Sequence, residues 1–340
     1  LSCRYFLIKL IKYVSIYKYM DNKSLCIGYL GQNTRLDYTF KPFVTFLNNT
    51  RNINNIHLLL LLHDNSVNLN YFIEILNNYG KNIKYSYEII MDNNDNYMKK
   101  IDFFTKYSIE NGYKYCMKFD NDLIVNNYTL DFMFDSMNLL EDENNLFITP
   151  NLSSGIPTCD NFIENFFNND EKNEIHKIFK ETEMPQSFCG FNYDFLNDYT
   201  IRSSEWNYEN FKNELSINNC YYKGIHPIRI NKEAILFLNS IIIKNKNKLF
   251  EKQNYKIKIT NDFGYLCNSV FIIKPETYNK IINDKSLFVD DYDEVPVNKY
   301  CKMNNMNGIF IENTFSIHPI YNSIPNHLEY EKELFNMLFF

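Results

Sequence analysis

The chain has 340 residues, with 35 Lys and Arg against 41 Asp and Glu, for a net charge of −6. Hydrophobic residues at 45% and charged residues at 22% suffice for a packed core, which excludes a wholly disordered chain. No long basic stripe occurs, which disfavours a protein that grips nucleic acid through many phosphate contacts. At ~150 residues per domain the length suggests two domains, or one large α/β domain with insertions. The chain holds 53 Asn, and 30 Lys against 5 Arg, the bias of an AT-rich coding source such as some viruses carry. A single Asn or Lys therefore carries little information.

In chain order, residues 1–19 are apolar but interrupted by Arg4, Lys9, Lys12 and Lys18. No run reaches the ~18–20 residues that span a bilayer, and no uncharged core leads to a signal cleavage site. This stretch is expected to be a leader outside the domain or upstream translation, with an amphipathic membrane-surface helix as the alternative. Four apolar runs then follow, at 24–30, 57–63, 83–91 and 115–119, read as strands. They end in Gly31, in Asp64, in Asp92, and in Asp120-Asn121-Asp122. Between them, 39–47, 70–78 and 97–111 place apolar residues at helical spacing, as at Ile101, Phe104 and Ile109. Strands alternating with helices imply βαβ units and a largely parallel sheet. Ligands of such sheets bind beyond the carboxyl ends of the strands, so the four polar ends mark one rim as the active edge.

Residues 156–260 are richer in Asn, Glu and Lys, with helical patches at 160–167 and 174–180, and read as a subdomain inserted over the rim. The division is then a leader 1–19, an α/β half 20–155, the insertion 156–260 and a second half 261–340. In that second half, 266–273 reads as a strand, 275–282 as a helix, and 308–311 with 314–318 as a last strand pair. Residues 293–304 read as a helix opened by acids, which suit its positive end, with Pro296 in the first turn. Eight Cys stand apart, without a CxxC pair, which disfavours structural zinc. They read as reduced, buried thiols of a cytoplasmic protein.

The chemistry concentrates at Lys118-Phe119-Asp120-Asn121-Asp122. Two carboxylates two residues apart, where a strand turns, can present to one side. Hard divalent cations such as Mg²⁺ and Mn²⁺ take carboxylate oxygens and share them with substrate phosphates. A solvated turn is the plain alternative. The segments SLCIGYLGQNTR, YKYCMKFDNDLIV, DYDEVPVNKY and FSIHPIY resemble nucleotide-sugar-dependent glycosyltransferases of the GT-A fold, over roughly 24–155 and 261–320.

The resemblance implies a Rossmann-type mixed sheet, a nucleotide-diphosphate sugar donor (a UDP-sugar first), Mn²⁺ or Mg²⁺, and a glycan, protein or small-molecule acceptor. It implies Asp120 and Asp122 as metal ligands, with His318 as a late ligand or a structural residue. Gly31, Asn33, Thr34, Asp64, Asp92 and Asn121 are the donor-binding candidates. An inverting transfer, slightly favoured over a retaining one, needs a general base, and Glu294 and Asp293 are the candidates. Helix capping is the alternative for both. Arg229 and the Trp206–Tyr208 pair read as loop and core residues, with diphosphate and sugar contact as alternatives. The rival functions are an inactive GT-A-like module that binds glycan or protein, and a metal-dependent nucleotidyl- or phosphotransferase.

Overall fold

The computed structural model describes residues 24–31, 33–51, 56–63, 69–78, 86–92, 97–153, 158–182, 187–192, 197–202, 220–221, 228, 231–261, 266–288, 292–319 and 325–339. The leader 1–19, Asp64, Trp206, Tyr208 and Arg229 lie outside them.

Strands β1 (Leu25–Gly31), β2 (Ile56–His63), β3 (Ser86–Asp92) and β4 (Tyr115–Asp120) are parallel and lie side by side in the order β3-β2-β1-β4. β1 is buried along its whole length, because helices cover both faces of the sheet. Its side chains alternate. Leu25, Ile27 and Tyr29 enter one core and Cys26 and Leu30 the other. Helices α1 (Asn33–Asn48) and α2 (Leu69–Asn78) feed the first core. Helix α3 (Tyr97–Glu110) covers the opposite face through Ile101 and Phe104.

The rest of the sheet is mixed. Strand β10 (Val270–Ile273) is antiparallel between β4 and β5 (Asn145–Leu152). Strand β11 (Asn307–Ser316) runs parallel to β5, and β9 (Lys256–Thr260) closes the edge antiparallel to β11. The eight-stranded order is β3-β2-β1-β4-β10-β5-β11-β9. The fold is therefore α/β with a mixed, mostly parallel sheet flanked by helices, as the GT-A resemblance implies.

Two local expectations change. The last strand pair is one strand, β11, whose register with β5 shifts between Ile311 and Ser316. Asn313 adopts φ 59 there, a left-handed residue that lets the strand bulge and continue. Of 266–273, only Val270–Ile273 pairs as a strand, while residues 266–269 form a turn above the rim.

Helices α4 (Asn127–Asp135), α5 (Thr158–Phe166), α6 (Asn169–Glu181), α7 (Lys232–Lys244) and α8 (Lys246–Phe250) share the first core. Phe162 and Phe166 of α5 pack edge-on against Phe315 of β11. Strands β6 (Ser187–Asn192), β7 (Asn197–Arg202) and β8 (Cys220–Tyr221) make a separate antiparallel sheet. Helices α9 (Pro275–Asn283) and α10 (Glu294–Met303) join α3 on the second face. Helix α11 (His327–Phe339) packs on α1. Among the described residues no helix is long and apolar enough to cross a membrane. Cys26, Cys116, Cys159, Cys267 and Cys301 are buried free thiols.

Candidate active site

Parallel pairing lines up the carboxyl ends of β1 to β4. Leu30 stands opposite Asp120, Gly31 opposite Leu62 and His63 opposite Asp92. Gly31 thus lies beside the Asp120 turn. Asp92 is three strands away, ~14 Å at the usual strand spacing. Asn33 and Thr34 open α1 directly behind Gly31. Their side chains and that of Asp92 lie outside the described residues. Asn121 is buried in the turn between the two carboxylates.

The chain brings His318 to this turn through a short bridge. Ile124 and Ile317 exchange two backbone hydrogen bonds of 2.9 Å, just after Asp122 and just before His318. The His318 backbone N–H also donates to Ser153 Oγ at 3.1 Å. As a result His318 Nε2 lies 3.5 Å from Asp122 Oδ1. Burial opposes charge on His318, but Asp122 outweighs it and the imidazole pKa is pushed up to about 10. Burial would raise Asp122, yet His318 and Arg35 hold it below the usual carboxylate value. Asp122 Oδ1 is buried and accepts no hydrogen bond from a described residue.

Asp120 faces inward. Lys118, on the same face of β4 and 1% exposed, donates to Asp120 Oδ2 at 3.2 Å and to the Asn268 carbonyl at 2.8 Å. Its ammonium is 3.8 Å from Asp293 Oδ1 and 5.3 Å from the centre of the Tyr97 ring. Burial works against a charged Lys118, but Asp120 and Asp293 hold it protonated. Burial pushes Asp120 up to about 7, against the pull of Lys118.

Asp293 is the N-cap residue of α10, but its side chain makes no capping bond. It turns into the protein, where it is 0% exposed. Its Oδ1 accepts from Tyr97 Oη at 2.8 Å and Asn268 Nδ2 at 2.7 Å, and its Oδ2 accepts from Tyr278 Oη. Both oxygens are committed inside, so Asp293 does not face an acceptor. Capping by Asp293, the alternative drawn from its position, is corrected by the same contacts. Glu294, the next residue, is half-buried in the first turn of α10.

Two parts of the site went unassigned in the sequence. The first is the turn at 266–269. Cys267 Sγ is 3.9 Å from His318 Nδ1, and Ser269 Oγ lies 3.3 Å from Nε2 of the same ring. The Ser269 carbonyl accepts from the Asp120 backbone N–H at 2.9 Å. One short turn therefore touches Asp120, Lys118, Asp293 and His318. The second is Arg35, in the first turn of α1, whose Nε donates to Glu331 Oε1 of α11 at 2.7 Å. Tyr38 Oη donates to the same oxygen at 3.1 Å. Arg35 is one of five Arg in the chain, and that rarity was the available signal.

Comparison with known proteins finds similarity to solved structures at TM-scores below 0.5. No family model and no curated protein matches the chain. GalNAc-T7 with UDP, GalNAc and Mn²⁺ is similar over 88% of this chain and 44% of its own, at 7% identity and TM-score 0.44. A protein assigned as a nucleotide-diphospho-sugar transferase from Desulfovibrio desulfuricans G20 is similar over 93% and 98%, at 6% identity and TM-score 0.37. A cytidylyltransferase from Leptospira borgpetersenii is similar over 37% and 52%, at 14% identity and TM-score 0.27. The chain thus spans about half the length of the GalNAc-T7 and cytidylyltransferase chains, at 44% and 52%. At such identities the likeness assigns no residue, substrate or activity.

Among the described residues, no three Asp, Glu, His or Cys side chains form a ready group of metal ligands. Asp122 and His318 are a pair, and Asp120 is turned toward Lys118. The donor set is still that of a hard divalent cation, with carboxylate oxygen foremost. The buried Asp122 Oδ1 is an acceptor that such a cation would satisfy. The positive charge of Arg35, whose Nε is bonded to Glu331, also helps to lower the Asp122 pKa. At this end of the rim Asp122 is paired with His318, and Arg35 with Glu331.

Proposed function

We propose that the chain is a metal-dependent glycosyltransferase. It moves a sugar from a nucleotide-diphosphate sugar, a UDP-sugar first, to a hydroxyl of a glycan, protein or small-molecule acceptor. The observation that carries this reading is the Asp122–His318 pair at the end of β4, with Asp122 Oδ1 buried and accepting no hydrogen bond from a described residue. Asp122 and Asp120 would hold Mn²⁺ or Mg²⁺ there, and His318 would join them by giving up its proton. When bound, the cation supplies charge stabilisation for the departing nucleoside diphosphate.

The remaining roles fall to the chain's own residues. Gly31 and the start of α1, with Asn33 and Thr34, meet the nucleotide at the rim, alongside Asn121, Asp64 and Asp92. Arg35, whose charge acts on Asp122, is the candidate cation for a diphosphate oxygen. Glu294 is the general base for the acceptor hydroxyl in an inverting transfer, because both Asp293 oxygens are engaged inside.

Substitution of Asp122 tests the metal assignment. Asp122→Asn keeps the shape of the turn but removes the carboxylate. With Mn²⁺, the wild-type chain should release nucleoside diphosphate from a UDP-sugar, and Asp122→Asn should lose that release while still folded, at a melting temperature lowered by the loss of the His318 ion pair. Equal release by both proteins would overturn the assignment.

A further inference from the structure

Helix α11 sends one carboxylate to the start of α1. Arg35 lies in the first turn of α1, behind the carboxyl end of β1, where Leu30 stands opposite Asp120. Its Nε donates to Glu331 Oε1 at 2.7 Å, across 296 residues of chain. The same oxygen accepts from Tyr38 Oη at 3.1 Å. Packing fixes both ends of this contact. Tyr38 meets the Phe335 ring edge-on at 5.1 Å, and Leu334 and Phe335 of α11 enter the first core. On the α1 side, Thr39 Oγ1 donates to the Arg35 carbonyl at 3.0 Å and lies 3.2 Å from Tyr29 Oη of β1. Glu331 is 0% exposed, and its Oε2 is buried and accepts no hydrogen bond from a described residue. A buried acceptor left unbonded is costly, and an apolar pair in the same volume would serve the fold as well or better. What the carboxylate supplies, and an apolar side chain does not, is a fixed direction for a long, flexible cation.

We infer that Glu331 is a positioning residue, which holds the Arg35 guanidinium in the orientation that meets the diphosphate of the donor. This inference rests on the proposed role of Arg35 as the cation for a diphosphate oxygen. The guanidinium is planar, and a carboxylate on its Nε side turns the outer edge of the fork away from that carboxylate. The Arg35 side chain is 14% exposed and Glu331 0%, so the pair is anchored from its buried side while the cation reaches the surface. An arginine ordered beforehand gives up less rotamer freedom when a phosphate arrives, which strengthens binding. Glu331 touches no ligand in this account and acts only through Arg35. Simple addition of charges gives the opposite expectation. A carboxylate near a diphosphate repels it, so its removal would tighten binding. Positioning and charge addition therefore differ in sign.

The test measures the dissociation constants of UDP and of uridine for the full chain at fixed Mg²⁺, by ligand-detected nuclear magnetic resonance. It compares wild type, Glu331→Gln, Glu331→Asp and the double variant Arg35→Met with Glu331→Leu, each checked by melting temperature. The double variant removes both charges and sets the scale, with UDP bound about tenfold more weakly, as for one charge-assisted hydrogen bond. Glu331→Gln should lose most of that factor, because Arg35 is still present but no longer held. Glu331→Asp keeps the charge but withdraws it by one methylene, and should also weaken UDP. Uridine, which has no phosphate, should change by less than about twofold in every variant. Wild-type or tighter UDP binding in Glu331→Gln would overturn the inference, as would an equal loss for UDP and uridine, which marks a structural role only. Should Glu331→Gln fail to fold, Glu331→Asp decides alone, and wild-type UDP affinity in it overturns the inference. If wild type binds no UDP, or the double variant binds it as wild type does, the proposed role of Arg35 falls together with the inference. If the double variant loses UDP and the Glu331 variants do not, the inference alone falls.

Discussion

At the scale of single residues, the proposed general base and its neighbour differ in burial. The two neighbours Asp293 and Glu294 are both acidic and both near the start of α10, so sequence position does not distinguish them. Burial does, since Asp293 is 0% exposed with both oxygens bonded. Glu294→Gln should lower kcat by about 10²–10⁴-fold with little change in donor KM or melting temperature, as expected for loss of a general base. Steady-state kinetics with a nucleotide sugar and Mn²⁺ would show it. Near-wild-type kcat would remove the base from α10 and favour a retaining mechanism.

At the scale of elements, two contacts decide how the rim is held. The first ties α11 to α1. Glu331 is 0% exposed and pairs with Arg35, itself nearly buried. Burial raises the Glu331 pKa even against Arg35, so the carboxylate depends on its partner to stay charged. Arg35→Met should cost about 3–5 kcal/mol, the penalty for leaving a buried charge without its partner. Adding Glu331→Leu should restore most of it, as read from urea denaturation. A loss below about 1 kcal/mol would show that the pair is not structural. The second contact is between β1 and α3. A Cβ on Gly28 would meet the Phe104 ring at 2.7–2.9 Å. Gly28→Ala should therefore destabilise by about 1–3 kcal/mol, and Phe104→Leu in the same chain should recover part of that loss. No change in melting temperature on Gly28→Ala would contradict this close packing.

The same elements show what a sequence can carry. β1 to β4 and α1 to α3 were legible because apolar runs of strand length alternate with helical spacing. β5 was not, since Pro150 interrupts its pattern, and β9 was not, since it is an exposed edge strand of alternating Lys and Ile. In the site, Asp120 and Asp122 were singled out as paired carboxylates and His318 through the resemblance, and the structure brings Asp122 and His318 together. The turn at 266–269 was not, because two of its contacts use main-chain carbonyls that no side chain announces, and the others use Cys, Asn and Ser, which carry no signal without the fold. Lys118 was one of 30 Lys, and only its burial singles it out.

At the scale of the whole molecule, a mixed sheet between two apolar cores holds one polar rim, and the strand order brings late residues to early ones. β10 inserts beside β4, and the Ile124–Ile317 bridge carries His318 to Asp122. The proposed function requires this rim to bind a nucleotide sugar through a divalent cation. Thermal denaturation of the full chain with a panel of nucleotide sugars, each with and without Mn²⁺, tests it most directly. A ligand present at 100 times its Kd stabilises the native state by ~2.7 kcal/mol, which is a clear shift. The expected shift needs a nucleotide sugar and Mn²⁺ together and vanishes in Asp122→Asn. A shift with nucleoside triphosphates but with no nucleotide sugar, or one indifferent to Mn²⁺ and to Asp122, would contradict it.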